Sequence, residues 1–219
     1  MDLNVIQQYI PLYVEAAILT VRLAFFGILG ATVVGLMCSL IQYYHFPILH
    51  RFVNGYVELS RNTPLLIQLF FLYFGLPKIG IVMQSETCAI VGLIFLGGSY
   101  MTEAFRSGFE AIPKIQEESG LCIGLKKWQV IIYILLPQAF LVSLPAFLAN
   151  VIFLIKETSV FSVVALADLM YVAKDLIGLY YETEEALFLL VVSYLIILLP
   201  ISILFTLVER RLKHVAIGN

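Results

Sequence analysis

Apolar side chains run along this sequence in long stretches broken by short polar segments. A helix needs about 20 apolar residues to cross a bilayer. The pattern predicts five crossing helices, over residues 16–43, 55–77, 87–105, 130–156 and 186–208. Residues 1–15 mix Tyr9, Pro11 and Tyr13 with polar positions and read as an interfacial lead-in. In the first span Gly27, Gly30, Ala31 and Gly35 recur at near-helical spacing, which lets another helix approach closely. Arg22, near its start, can reach outward to water. Gln42 to Ser60 is partly amphipathic, with His45, His50, Arg51 and Glu58, and reads as a segment at or near the surface. Thr63 is placed to N-cap, and Pro64 to open, the apolar run that ends at Pro77. That run is too short to cross alone, so the helix begins earlier or the span is broken near Thr63. Broken spans often line a transport path.

The third span carries Gly97, Gly98, Ser99 and Tyr100 in its second half, followed by Glu103. Such a cluster serves close backbone approach or a polar groove. Pro137 and Pro145 interrupt the regularity of the fourth span, and each frees a backbone group that neighbours must satisfy in lipid. The fourth span closes on Lys156, Glu157, Thr158 and Ser159. Residues 160–185 are mixed, with Asp168, Lys174, Asp175 and Tyr180-Tyr181, and suit short extracytoplasmic helices. The last span contains Pro200 and ends on Glu209-Arg210-Arg211-Leu212-Lys213. Between the third and fourth spans lies a charged loop, residues 106–129, with Pro113, Lys126, Lys127 and the lone Trp128. A connection this long in so apolar a chain is usually functional. Gly124 supplies a turn that other residues resist. Leu121, Ile123, Leu125 and Trp128 suit a pocket on a partner, and the two lysines suit steering.

Composition narrows the class. The chain is 61% hydrophobic and 13% charged, against roughly 45–50% and about 25% for a soluble domain. It reads as an all-α integral membrane protein. No glycine is followed by lysine, so there is no phosphate-cradling P-loop and no fused ATPase. Paired aspartates, HExxH and Gly-x-Ser-x-Gly are likewise absent, which argues against an enzyme. Cys38, Cys88 and Cys122 lack metal or redox spacing and read as small apolar fillers. The histidines have no ligand partners in sequence. Asp2 and Glu15 stand where a signal peptide would be basic, so the first span reads as an uncleaved anchor. Arg51, Arg61, Arg106, Lys114, Lys126, Lys127, Arg210, Arg211 and Lys213 fall on one face, with Lys78, Lys156 and Lys174 on the other. The positive-inside rule then puts the N-terminus outside and the 106–129 loop and C-terminus in the cytoplasm.

Three stretches carry a family resemblance. Glu118, Gly124, Ile134, Leu136 and Pro137 have the spacing of the cytoplasmic loop signature of ABC importer permeases, with Ser119 and Gly120 where that family usually has two alanines. Arg61-Asn62-Thr63-Pro64-Leu65-Leu66, Gln68-Leu69-Phe70-Phe71 and Tyr73-Phe74-Gly75-Leu76-Pro77 resemble a longer stretch of the polar amino acid permeases, the histidine/glutamine/arginine type. Leu154 through Val163 is similar to the end of that family's fourth span, with Glu157 in place of the usual aspartate.

The resemblance implies a multi-pass permease of a prokaryotic plasma or inner membrane, with the type I ABC importer fold. It implies a second permease subunit, identical or different, two cytoplasmic ATP-binding subunits and an extracytoplasmic solute-binding protein. The solute is an amino acid, and no nucleic acid is involved. ATP and Mg are expected in the partner ATPase and no cofactor on this chain. The docking loop is then Glu118, Ser119, Gly120, Gly124, Leu125, Ile134, Leu136 and Pro137. Candidates for the solute path are Thr63, Gly98, Ser99, Tyr100, Glu103, Lys156, Glu157, Thr158 and Ser159, with Glu103 or Lys156 in gating or support. A rival reading is a non-conducting anchor or regulatory subunit that docks an ATPase. Polar groups inside the spans favour transport, because they are costly in lipid.

Overall fold

The computed structural model describes residues 3–217, and among them every regular element is helical. Asp2 and the side chain of Lys213 lie outside what is described. Four helices are long and apolar enough to cross a membrane: α1 (Leu3–Tyr43), α4 (Ser85–Glu110), α6 (Lys127–Val164) and α8 (Thr183–Ile217). Between α1 and α4 lie α2 (Pro47–Arg61) and α3 (Leu65–Ile79). The short α5 (Lys114–Cys122) follows α4, and α7 (Leu169–Tyr180) precedes α8.

The span expected over 55–77 is therefore not one helix but two. α2 begins at Pro47, well inside the segment read as surface, and stops at Arg61. Asn62, Thr63 and Pro64 form the break. Thr63 does not cap α3 as expected. Its hydroxyl donates back to the Leu59 carbonyl (2.8 Å), and Pro64 holds the N-cap position. Pro64 forbids helical geometry to its predecessor, so the chain must leave the helix there. The lead-in 1–15 also differs, being helical from Leu3 and continuous with the first span.

α4 is the centre of the packing. α1 lies along it, and glycines set the spacing. A Cβ added to Gly35 would stand 2.3 Å from the Met101 Cβ and 2.9 Å from the backbone of Met101 and Thr102. On the other side of α4, a Cβ added to Gly108 would stand 2.4 Å from the Ala139 carbonyl oxygen of α6. The main core runs through α1, α4 and α6, with Leu23, Leu93, Phe105, Phe109, Leu154 and Phe161 within it. A second, smaller core joins Tyr13 and Ala16 of α1 to Leu169 and Leu176 of α7 and Ala186 of α8.

Prolines are accommodated locally. A wide π-helical turn at Ile131–Leu135 comes just before Pro137, which has no N–H to offer the preceding turn. Pro145 stays inside the helix. Asp168 caps α7, its Oδ1 accepting from the Tyr171 amide (3.0 Å), and the Leu169 amide reaches the Thr20 hydroxyl of α1 (3.4 Å).

Candidate functional site

The break between α2 and α3 places charge among the helices. Arg61, the last residue of α2, forms an ion pair with Glu103 of α4, and its guanidinium lies 5.1 Å from the centroid of the Tyr100 ring. Arg61 was expected with the basic residues of one face. It is the last residue of α2 and borders the break. An arginine can satisfy a carboxylate and an aromatic face together, since its guanidinium is planar and forked.

Two cavities flank this pair. One, of about 240 Å3, is lined by Arg61, Thr63, Pro64, Tyr100, Phe153 and Glu157, among others. The other, of about 320 Å3, is lined by Gln42, His50, Asn54, Glu58, Glu103 and Arg106, among others. The Arg61–Glu103 pair thus stands between them, one member on each side. The second cavity holds a polar chain in which Gln42 Nε2 donates to Asn54 Oδ1 (2.8 Å) and Asn54 Nδ2 meets His50 Nε2 (3.0 Å). Gln42 Oε1 and His50 Nδ1 are buried without partners.

The residues expected along the solute path separate into two groups. Thr63, Tyr100 and Glu157 share the first cavity, and Glu103 joins them through Arg61. The rest sit elsewhere. Ser99 is fully buried, donating to the Leu96 carbonyl (2.6 Å) and accepting from Ser60 (3.0 Å). Gly98 is pressed between Val34 and the Tyr56 hydroxyl. Thr158 is buried and donates to the Ile155 carbonyl (2.7 Å), Lys156 is exposed, and Ser159 is half-buried. Sequence reasoning missed Arg61 as a site residue, although an arginine beside a helix break in an apolar stretch was a usable signal. It also missed Asn150, whose amide donates to the Tyr100 carbonyl (3.1 Å) and ties α6 to α4 at the cavity. An isolated asparagine in an apolar run carries no such sign.

The loop expected to dock a motor is α5, a turn and the start of α6. Gly124 has φ +89°, the left-handed region that only glycine enters at no cost. The turn closes with Gly124 N–H on the Leu121 carbonyl (3.0 Å) and Leu125 N–H on the Gly120 carbonyl (3.2 Å), the arrangement that ends a helix on a glycine. Gly120 is buried, and a Cβ there would come 2.7 Å from Ile134 Cδ1. Residues 127–129, expected in the loop, already belong to α6. Leu125, expected to face outward, packs against the core with Ile134 and Leu136. Ile115, Ile123, Trp128 and Tyr133 are exposed, as are Glu118 and Ser119.

The family model described as binding-protein-dependent transport system inner membrane component matches residues 31–214. The glutamine transport system permease protein GlnP of Escherichia coli (strain K12) is 32% identical over 214 residues, covering 97% of this chain and 98% of that protein. The arginine transport system permease protein ArtQ of Bacillus subtilis (strain 168) is 29% identical over 97% of this chain and 98% of its own. Among solved structures, an amino acid ABC transporter crystallised with histidines aligns at a TM-score of 0.86 and 28% identity, over 96% of this chain and 99% of that one. The inward-facing MetNI methionine ABC transporter aligns at 0.79 and 20% identity, a likeness of fold.

Proposed function

The chain belongs to the binding-protein-dependent transport system inner membrane components and is a permease subunit of a polar amino acid ABC importer; from that premise we propose how its parts divide the work. The break in the second span, with Arg61, Glu103, Tyr100 and Glu157, forms part of the amino acid path. The α5–Gly124–α6 corner receives a separate cytoplasmic ATPase and passes its closure to the spans. ATP and Mg belong to that partner. A second permease subunit and an extracytoplasmic solute-binding protein complete the importer, with the N-terminus of this chain outside and its C-terminus in the cytoplasm.

The observation that carries this reading is the Arg61–Glu103 pair between two cavities. Charge of both signs inside a bundle is costly in lipid, and it suits a solute that brings an ammonium and a carboxylate. A chain that only anchored an ATPase has no use for it. With the pair closed, the two cavities are separate. Opening it joins them, so Glu103 gates and Glu157 borders the entrance.

The test is a complex of this chain with its ATPase and binding-protein partners in proteoliposomes. Amino acid with its binding protein should stimulate ATP hydrolysis and drive solute inward. Stable ATPase docking without any solute movement would establish the anchor instead. Gly124→Val in the same assay should leave insertion intact and uncouple or release the ATPase, since valine resists positive φ.

A further inference from the structure

We propose that Tyr43 and Tyr44, at the cytoplasmic end of α1, clamp Glu117 of α5 and make α1 the lever through which the docking corner moves the path. The proposal rests on the importer reading above. Two glutamates stand side by side on α5, and they face different ways. Glu118 is exposed, while Glu117 is half-buried under the end of α1. The Tyr43 hydroxyl donates to Glu117 Oε2 (3.3 Å). The Tyr44 hydroxyl is buried beside the same carboxylate, near enough to interact with it. The two rings meet edge to face with centroids 5.1 Å apart, so they form one unit. A cavity of about 420 Å3 lies against them, lined also by His45, Glu110, Ile112 and Lys114.

The contact is placed to carry displacement. Tyr43 also packs on Phe109 of α4, with ring centroids 5.5 Å apart. From there α1 and α4 are locked by the Gly35 contact with the Met101–Thr102 backbone. A little less than one turn beyond Tyr100, α4 carries Glu103, the partner of Arg61. A shift of α5 therefore reaches the ion pair along two helices that cannot slide independently, because their backbones touch. The contact of Gly120 with Val130 and Ile134 links α5 to α6 through flexible side-chain ends, which yield more easily than a charge-assisted hydrogen bond. Glu117 is thus a positioning residue facing inward, distinct from the docking face.

The measurement is the number of ATP molecules hydrolysed per amino acid imported, by the assembled complex in proteoliposomes, together with retention of the ATPase on purification. Glu117→Leu, and the paired Tyr43→Phe with Tyr44→Phe, should raise that ratio about tenfold or more with the ATPase retained, the scale of losing one hydrogen bond to a charged group. The phenylalanine pair keeps the rings and tests the hydroxyls alone. Glu117→Gln keeps an acceptor and should return the ratio close to that of the unaltered chain. An unchanged ratio, with hydrolysis and import falling together, overturns the clamp as a transmitting contact. Loss of the ATPase overturns it too, by making Glu117 a docking residue. If the unaltered complex shows no stimulation by amino acid, the importer reading itself fails, which is a separate result.

Discussion

The α1–α4 seam and the α2–α3 break lie on the same helix, α4, and treat their surroundings in opposite ways. Along the seam, backbones touch through Gly35, and Leu23, Leu93 and Met101 are fully buried. At the break, chain direction changes, charges of both signs meet, and cavities of about 240 and 320 Å3 open on either side. In a bilayer, association gains little from apolar contact alone, because lipid is as apolar as leucine, and close packing of small residues does the work. The seam is therefore built to stay together. The break gives up packing for polar groups that can exchange partners. A permease needs both: a body that moves as one piece and a place where contacts can open.

The largest expected effect comes from attacking the seam. Gly35→Leu puts a branched side chain where even a Cβ would stand 2.9 Å from backbone atoms of Met101 and Thr102, which cannot rotate away. Overpacking typically costs roughly 1–3 kcal/mol, and a backbone obstacle puts this site at the upper end or beyond. The variant should lose most of its folded yield on size-exclusion chromatography in detergent. Gly55→Leu, at a position with open space around the Cβ, should not. Equal yields for the two would show that the seam is not the fixed body.

The break should respond in function before it responds in stability. Arg61→Met removes the charge and keeps much of the stem, leaving Glu103 without its partner. Glu103→Gln keeps shape and removes the other charge. Both side chains are partly exposed, at 35% and 39%, so the pair adds little to stability. Uptake should fall about tenfold in either variant, the equivalent of about 1.4 kcal/mol on a barrier, while the complex still assembles. Tyr100→Phe retains the ring beneath the guanidinium and should come close to normal uptake. Unimpaired uptake with Arg61→Met removes the gate from the break.

How much of this was legible in the sequence follows the same division. The rough place of the long apolar helices was visible because apolar length is a direct consequence of bilayer thickness, although four helices and not five are long and apolar enough to cross. The turn between α5 and α6 was visible because Gly124 has a backbone reason to be glycine, seen as φ +89°. Gly27 and Gly35 were visible as a small-residue face, although only the structure shows that α4 fills it. The break was half legible: Pro64 marked it, but the apolar count placed its first helix too late and gave no sign that Arg61 would pair with Glu103. Ser99 and Thr158 misled for a physical reason. A hydroxyl in a helix can return its hydrogen to a carbonyl three or four residues back, as both do here, and then needs no solute. Composition cannot tell such a hydroxyl from one that faces a path.

A smaller effect is expected at Glu157, which sharpens the account of the break. It lines the cavity with Thr63 and Tyr100, whereas its neighbour Lys156 is exposed. Adjacent helical residues do not face one another, so Lys156 does not neutralise it. Glu157→Gln keeps size and removes charge. Relative uptake of basic, neutral and acidic amino acids should change severalfold, with binding-protein affinity unaltered. Unchanged uptake of all three classes would leave Glu157 as an interfacial charge.

The smallest expected effect concerns polarity buried away from the break. Asp168 is fully buried at the start of α7, and its Oδ2 has no hydrogen-bond partner. Burial pushes its carboxyl up to about 6, although the amides of Tyr171 and Met170 and the charge of Lys174 pull the other way. The folded state therefore holds a proton that the unfolded chain releases near 3.8. Between those values the native state binds more protons, so stability falls as pH rises. The contribution is fully present below about 4 and is lost as pH passes 6, and it amounts to about 3 kcal/mol at about 1.4 kcal/mol per unit. Asp168→Asn keeps Oδ1 for the Tyr171 amide and adds no charge. Its melting temperature in detergent should be level from pH 4 to 7, above that of the unaltered chain at pH 7, and uptake should be unchanged. If both chains show the same slope, the carboxyl reaches water or a partner that ionises with it. If the asparagine variant is stable but transports poorly, buried charge at this end of the bundle takes part in movement, and the contrast between a fixed seam and a working break is too simple.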